Sequence, residues 1–251
     1  MQRAAIVTAA LLTAALAIPG ANAARNADIP KYISAAVADS ARPAEDKQRD
    51  ADRKPAETLA FAGVKPGDTV IELAPGKGYY TRLLSAVVGP KGKVYAVSSQ
   101  PKPDAPPPPI QALAADPHYS NVTVSLQHIP ELAAPASAVD LVWTTQNYHD
   151  LHNIEGVDPA KINRVFFGAL KPGGTYLVLD HAAEAGSGTR DTNTLHRIDE
   201  QTVKQEVTAA GFQLAAESDI LRNKADAHTA KVFDPEIRGH TDQFLLKFKK
   251  P

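Results

Sequence analysis

Residues Thr69-Val70-Ile71-Glu72-Leu73-Ala74-Pro75-Gly76-Lys77-Gly78-Tyr79-Tyr80-Thr81 constrain this chain more than any other stretch. An apolar run ending in an acid, then a glycine-bearing loop, then apolar residues at helical spacing describe a strand that hands over to a helix N-terminus. Such a junction can hold a polar ligand. Val70, Ile71 and Leu73 suit a strand buried in a parallel sheet, and Gly76 and Gly78 admit positive φ and let a ligand approach the main chain. After the loop, Tyr80, Leu83, Leu84, Val87 and Val88 share a helix face, and Gly89-Pro90 closes the helix. Val94 to Val97 reads as the second strand of a βαβ unit.

A dinucleotide-binding turn carries Gly-x-Gly-x-x-Gly, whereas Gly76 and Gly78 are followed here by Thr81. The close helix-to-strand approach beneath a pyrophosphate is not encoded, which disfavours a nicotinamide or flavin site. Glu72 to Gly78 resembles instead motif I of the class I S-adenosylmethionine-dependent methyltransferases, acid-x-Gly-x-Gly-x-Gly, with Ala74 in the first glycine's place. The resemblance runs from about Pro55 to the C-terminus. Val64 to Thr69 is similar to the family's entry into its first strand and Gly89 to Val97 to the approach to its second. Asp140-Leu141-Val142-Trp143 resembles the fourth strand, and Leu170 to Val178 the turn and fifth strand. More narrowly, Asn147 to His152 and an export signal resemble the secreted bacterial branch of predicted methyltransferases.

The resemblance implies an α/β, Rossmann-like class I methyltransferase fold with a mostly parallel seven-stranded sheet and an antiparallel last strand. It implies S-adenosylmethionine as cofactor and methyl transfer to a small-molecule acceptor. The cofactor would be held at Glu72, Ala74, Pro75, Gly76, Gly78 and Tyr79, with the loop on the methionine portion and Glu72 ordering the loop. Two departures stand out. The acid that usually ends strand two and holds the ribose is replaced by Ser98-Ser99-Gln100, so neutral hydrogen bonds from Ser98 or Gln100 take its place, with Ser98 as the candidate for the ribose. Strand three, Val122 to Leu126, is followed by Gln127-His128 where the family often has an acid for the adenine amino group. A non-catalytic periplasmic binding protein on the same fold is the competing reading. The missing acids favour it; the intact Gly76 and Gly78 oppose it.

Leu141 to Thr144 reads as the fourth strand, and the densest chemistry lies just beyond it: Gln146, Asn147, Tyr148, His149, Asp150 and His152. Ligands of open α/β sheets sit at the carboxyl ends of strands, which puts these side chains where a methyl group would be transferred. Transfer from a sulfonium is an in-line displacement, needing alignment and, for an acidic nucleophile, a base. His149 is the candidate base, with Asp150 to orient it and Tyr148 and Asn147 lining the site. A His that merely packs or caps is the plainer reading. A metal site at His149, Asp150 and His152 with His181 as a further ligand is weakly encoded, since no HExxH signature or cysteine accompanies it, and no metal is expected.

Met1 to Ala23 carries one charge, Arg3, then an apolar run from Ala4 to Ile18, then Pro19-Gly20 and Ala21-Asn22-Ala23, the layout of a secretory signal cleaved after Ala23. The run is short for a membrane span. A periplasmic or secreted location, without stable membrane insertion after cleavage, is therefore expected. The cysteine count of 0 suits an oxidising compartment and excludes a disulfide framework. Formal charge is -1, or -2 once Arg3 leaves, and no basic stripe with interleaved aromatics calls for nucleic acid. Residues 24–54 read as a helical arm, with Ala44 to Arg53 as one solvated helix, that is either a surface helix pair or a lid from which Tyr32 or Arg53 faces the cleft, and 55–251 as the α/β domain. Pro101 to Pro109 is a stiff loop, a spacer or a wall of the adenosine pocket. Asp158-Pro159 and Asp199 open helices, Thr175 to Leu179 reads as strand five and Phe212 to Glu217 as strand six. Ala182 to Thr189 is a mobile loop, and Arg197 is a surface residue or a grip on an anionic substrate.

Overall fold

The computed structural model describes residues 29–134 and 137–251. The proposed signal, 1–23, and the first residues of the arm lie outside the described residues. Seven strands form one sheet: β1 (Thr69–Leu73), β2 (Lys93–Ser99), β3 (Val122–Gln127), β4 (Val139–Thr145), β5 (Leu170–His181), β6 (Gln213–Ser218) and β7 (Gln243–Lys249). Their order is β3-β2-β1-β4-β5-β7-β6. The pairs β1–β2, β2–β3, β1–β4 and β4–β5 are parallel, while β7 runs antiparallel to β5 and β6. This is the sheet that the resemblance implies. The chain builds outward from β1 to β3, then returns and builds the other way from β4. The switch point therefore lies between β1 and β4, and the crevice at their carboxyl ends is where such a sheet takes ligands.

The helices are α1 (Lys31–Ala38), α2 (Ala44–Gln48), α3 (Asp50–Arg53), α4 (Pro55–Ala62), α5 (Tyr79–Val88), α6 (Pro109–Ala114), α7 (Pro159–Ala169) and α8 (Glu200–Ala209). Local signals set their ends. The Asp158 side chain accepts from Ala160 N–H and that of Asp199 from Gln201 N–H, each satisfying an amide that the first helical turn leaves open. Two apolar cores flank the sheet. Leu59, Leu83, Leu84 and Ile110 pack with Val70, Trp143 and Leu177 on one face; Ile162, Phe166, Val203 and Val207 pack with Ile71, Tyr176 and Phe248 on the other. Among the described residues no helix is long and apolar enough to cross a membrane.

Three features differ from the sequence reading. Ala44 to Arg53, read as one solvated helix, breaks at Arg49, because Asp50 is held from outside it: Arg42 donates two bonds to its carboxylate at 2.9 and 2.6 Å, and the Tyr79 hydroxyl a third at 2.6 Å. Strand five starts at Leu170 rather than Thr175. The register jumps from Val139↔Leu170 to Leu141↔Thr175, so the expected turn is a bulge of residues 171–174, with Gly173 at φ 76°. Strand six starts at Gln213, one position later than read.

Candidate active site

The loop after β1 bends through three residues of positive φ: Ala74 at 50°, Gly76 at 58° and Gly78 at 84°. A side chain at Gly76 would meet nothing within 4 Å, whereas a Cβ on Gly78 would stand 2.4 Å from Leu113 Cδ1 on α6. The hollow is thus open at the exposed Gly76 and shut by protein at the buried Gly78; Pro75, just before Gly76, is buried and the intervening Lys77 is exposed. Behind the loop, Glu72 is buried and accepts the Thr81 hydroxyl at 2.6 Å. Burial pushes its carboxyl up to about 7, against the opposing pull of that hydrogen bond and of Arg82. Tyr79 carries the loop into α5 and anchors the arm through Asp50. Across the switch point, Asn147 Nδ2 donates to the carbonyls of Leu73 and Thr145, both at 3.0 Å, and of Ala74 at 3.4 Å, clamping the loop after β4 to the loop after β1.

A cavity of 960 Å³ opens at the carboxyl ends of β1, β4 and β5, under the arm and the segment before β7. That is the upper end of the size range of small-molecule sites, about 300–1,000 Å³. Lys77, Arg53, Gln146, His181 and Phe233 are among its walls, and Pro109 and Leu113 from α6 line another side. Arg53 lies with its guanidinium carbon 4.6 Å from the Tyr79 ring centre and 5.8 Å from that of Tyr80. It donates to Gln146 Oε1 at 2.9 Å, and among the described residues no carboxylate pairs with it. Burial lowers its pKa, a sign of a cation short of a counter-charge. Tyr32, the other arm residue picked out in the sequence, instead packs against the core and donates to the Val64 carbonyl at 3.4 Å.

The cofactor candidates after β2 and β3 fall elsewhere. Ser98 is half-buried at the end of β2, opposite Leu126 of β3. Both ends of the Gln127 amide are engaged: it donates to Ser125 Oγ at 2.9 Å and the Ala133 carbonyl at 3.1 Å, and accepts Ala133 N–H at 2.9 Å. Gln127 borders a separate groove of 330 Å³ with Ile71 and Val97. His128 is exposed, its Nδ1 3.9 Å from Glu131.

After β4 the chain turns through a 3₁₀ segment, His149–His152. Tyr148 points inward: its hydroxyl donates to Glu206 at 2.8 Å and accepts from Asn163 at 2.8 Å. His152 lies on that side too, 3.3 Å from Glu206. His149, 2 % exposed, points the other way. Its Nδ1 lies 2.8 Å from Asp180 Oδ1 at the end of β5, and its main-chain N–H donates to the second Asp180 oxygen at 2.8 Å. Its Nε2 lies 3.3 Å from Asp150 Oδ1. Burial works against the charged imidazole, but Asp180, with Asp150, outweighs it and raises the pKa. Asp180 is lowered in turn: burial raises it and the charge and hydrogen bond of His149 prevail. With a carboxylate against each nitrogen, this ring holds its proton rather than standing ready to accept one.

His181, a candidate metal ligand in the sequence, hydrogen-bonds Thr241 Oγ1 through Nδ1 at 2.7 Å, and burial lowers its pKa to about 4. In its stead His196 joins the group, its ring 5.4 Å from that of His149 at 87° and its Nδ1 3.7 Å from Asp150 Oδ1. The donor atoms of His149, Asp150 and His196 all lie within 4.8 Å of one another. Arg197 is neither a surface residue nor a substrate grip. It is fully buried, bonded to Asp226 at 2.8 and 3.2 Å and to the carbonyls of Ala182 and Ala230. Sequence reasoning missed Asp180 and His196. Asp180 carried a usable signal, since an acid ending a strand beside β4 must lie near the segment into which β4 leads. His196 carried none.

No protein-family model matches the chain. Solved structures match its fold over most of its length. A SAM-dependent methyltransferase from Aquifex aeolicus aligns with TM-score 0.59 at 19% identity, covering 84% of this chain and 99% of that one. An S-adenosylmethionine-dependent methyltransferase from Mesorhizobium loti aligns with TM-score 0.56 at 18% identity, covering 80% and 99%. The [4+2]-cyclase SpnF aligns with TM-score 0.61 at 19% identity, covering 81% and 82%. The fold is thus that of class I methyltransferases, and the presence of a cyclase among its neighbours shows that the fold alone does not fix the chemistry.

Proposed function

We propose that this protein is an S-adenosylmethionine-dependent methyltransferase acting on a small molecule. The observation that carries the reading is the open main chain at Gly76, next to a 960 Å³ cavity at the β1/β4 switch point. The volume leaves room for an acceptor beside a cofactor. Arg53 supports the same assignment: a largely buried cation without a carboxylate partner among the described residues suits the carboxylate of a bound amino acid. Glu72 holds Thr81 and so the start of α5, ordering the loop; Pro75 and Tyr79 fix the loop's two ends. Ser98, half-buried at the end of β2 and outside the cavity's walls, is the group we assign to the ribose. Gln127 and His128 enter only as the far rim, since the Gln127 amide is already committed to its own loop.

On the acceptor side we assign His149 and Asp150, with Asn147 and Tyr148 holding the segment in place. His149 serves as a base only once the proton between it and Asp150 has gone. The 1–23 segment and the cysteine-free composition support export, which cell fractionation and the mature N-terminus would test.

Calorimetric titration with S-adenosylmethionine and S-adenosylhomocysteine tests the cofactor assignment. Micromolar binding is expected, lost in Gly76→Val and weakened at least tenfold in Arg53→Gln. No binding to folded protein at millimolar ligand would sink it. His149→Ala should abolish turnover and leave cofactor affinity nearly intact; unchanged turnover removes His149 from the mechanism.

A further inference from the structure

We propose that His149 Nε2, Asp150 Oδ1 and His196 Nδ1 form a binding site for a divalent first-row transition-metal ion, with Asp180 as the residue that positions His149. The distances fit. Ligands at about 2.0–2.1 Å from a tetrahedral ion stand roughly 3.3 Å apart, and Asp150 Oδ1 lies 3.3 Å from His149 Nε2 and 3.7 Å from His196 Nδ1. An ion between them takes the place of the proton there, so His149 in the metal-loaded site is a ligand and not the base.

Three further observations support the site. Metal-bound histidines donate their other ring nitrogen to a carboxylate, which fixes the tautomer and strengthens the ligand. His149 does so to Asp180, which is fully buried and also holds its main-chain N–H. His196 sits at φ 56°, a conformation that costs a non-glycine residue and persists where the surroundings demand it. Here the Arg197–Asp226 pair and the Phe233 ring, 4.8 Å away, hold it over Asp150. Asp150 and His196 keep 44% and 26% of their side-chain surface, so an ion can enter from solvent.

The donor set indicates which ion. Two imidazoles and one carboxylate suit zinc, iron, cobalt or nickel rather than magnesium or calcium, which prefer oxygen. Two carboxylates, Asp150 and Asp180, balance the charge of a divalent ion beside neutral rings. Three protein ligands leave positions open, the pattern of reactive rather than structural sites. The site adjoins the cavity, since Phe233 and His181, whose rings flank those of His196 and His149, line it. A role in polarising a methyl acceptor's oxygen or sulfur rests on the proposed methyltransferase function; the ion's binding does not.

The test uses the full chain, stripped with a chelator and titrated with Co²⁺ and Zn²⁺ alone, without cofactor or acceptor. One Co²⁺ per chain, with visible absorption bands, is expected. His196→Ala and Asp150→Asn should each weaken it at least tenfold and Asp180→Asn by roughly 10–100-fold. His118→Ala, an exposed histidine paired with Asp39, should bind as wild type. Asp150 is exposed enough that its variant should fold, which thermal melting checks. Absence of stoichiometric binding, unchanged binding in both His196→Ala and Asp150→Asn, or preference for Mg²⁺ would overturn the site. None of these outcomes bears on whether S-adenosylmethionine binds.

Discussion

The two sides of the switch point are built by opposite means. After β1, the site is main chain: three residues of positive φ, two of them exposed to solvent, and no side chain doing what the backbone amides can do. After β4 and β5, the site is side chains: His149, Asp150, Asp180 and His196 from three separate segments, resting on the buried His149–Asp180 and Arg197–Asp226 pairs with Asp150 at the surface. A backbone site depends on torsion angles and tolerates changes around it. A side-chain site depends on electrostatic compensation and fails when one partner is removed.

The largest effect should come from the side-chain half. Arg197 is fully buried and Asp226 is its only carboxylate partner among the described residues. Asp226→Ala strands that cation and should cost about 3–5 kcal/mol. Chemical denaturation measures it, and a loss under about 1 kcal/mol would mean that water reaches Arg197. Because Arg197 adjoins His196, the same variant should also loosen Co²⁺ binding.

Next is a pH effect centred on Glu72, the buried acid of the backbone half. Its carboxyl has an ordinary value of 4.5 and is pushed up to about 7 in the folded chain. Below the lower value it is protonated in both states and its contribution to stability is complete. As pH rises towards the higher one, the unfolded chain gives up the proton first, so stability falls, by about 3 kcal/mol at most. Glu72→Gln keeps an acceptor for Thr81 without the charge. It should match wild type near pH 4 and exceed it at pH 8, and parallel stability curves would show that Glu72 ionises freely.

A smaller contrast lies within the loop. Gly78→Ala drives a methyl to 2.4 Å from Leu113 Cδ1 at φ 84°, whereas Gly76→Ala finds open space at φ 58°. The first adds a clash of about 1–3 kcal/mol to the strain that both share. Equal losses at the two positions would indicate that α6 does not pack on the loop.

This division also explains what the sequence disclosed. Strands, caps and the glycine loop are local patterns, so Val70 to Leu73, Asp158-Pro159 and Asp199 could be read directly, and the resemblance supplied the seven-stranded, mostly parallel sheet with its antiparallel last strand. The bulge at residues 171–174 was not legible, because it arises from pairing with Val139 and Leu141, distant in sequence. Nor was the break at Arg49, which arises from Arg42 and Tyr79 converging on Asp50. His149 and Asp150 could be named because they lie beside a strand end. His196 could not, since the loop that brings it back has no periodic signal and depends on the buried Arg197, which in sequence looks like an ordinary surface residue.

The smallest expected effect isolates the torsional cost of the backbone half. Ala74 stands where the resembling family has its first glycine, and it adopts φ 50° with its side chain exposed. Left-handed backbone costs an L residue roughly 1–2 kcal/mol, which glycine avoids. Glycine also gives the unfolded chain more freedom, worth about 0.4–1 kcal/mol in the opposite sense. The difference leaves Ala74→Gly about 0.5–1 kcal/mol more stable than wild type. The Ala74 carbonyl, which Asn147 holds, need not move, so cofactor affinity should stay within about twofold. Denaturation midpoints paired with calorimetry decide the matter: lower stability in Ala74→Gly would mean that the loop does not hold Ala74 in that conformation, and that its shape rests on the Asn147 clamp.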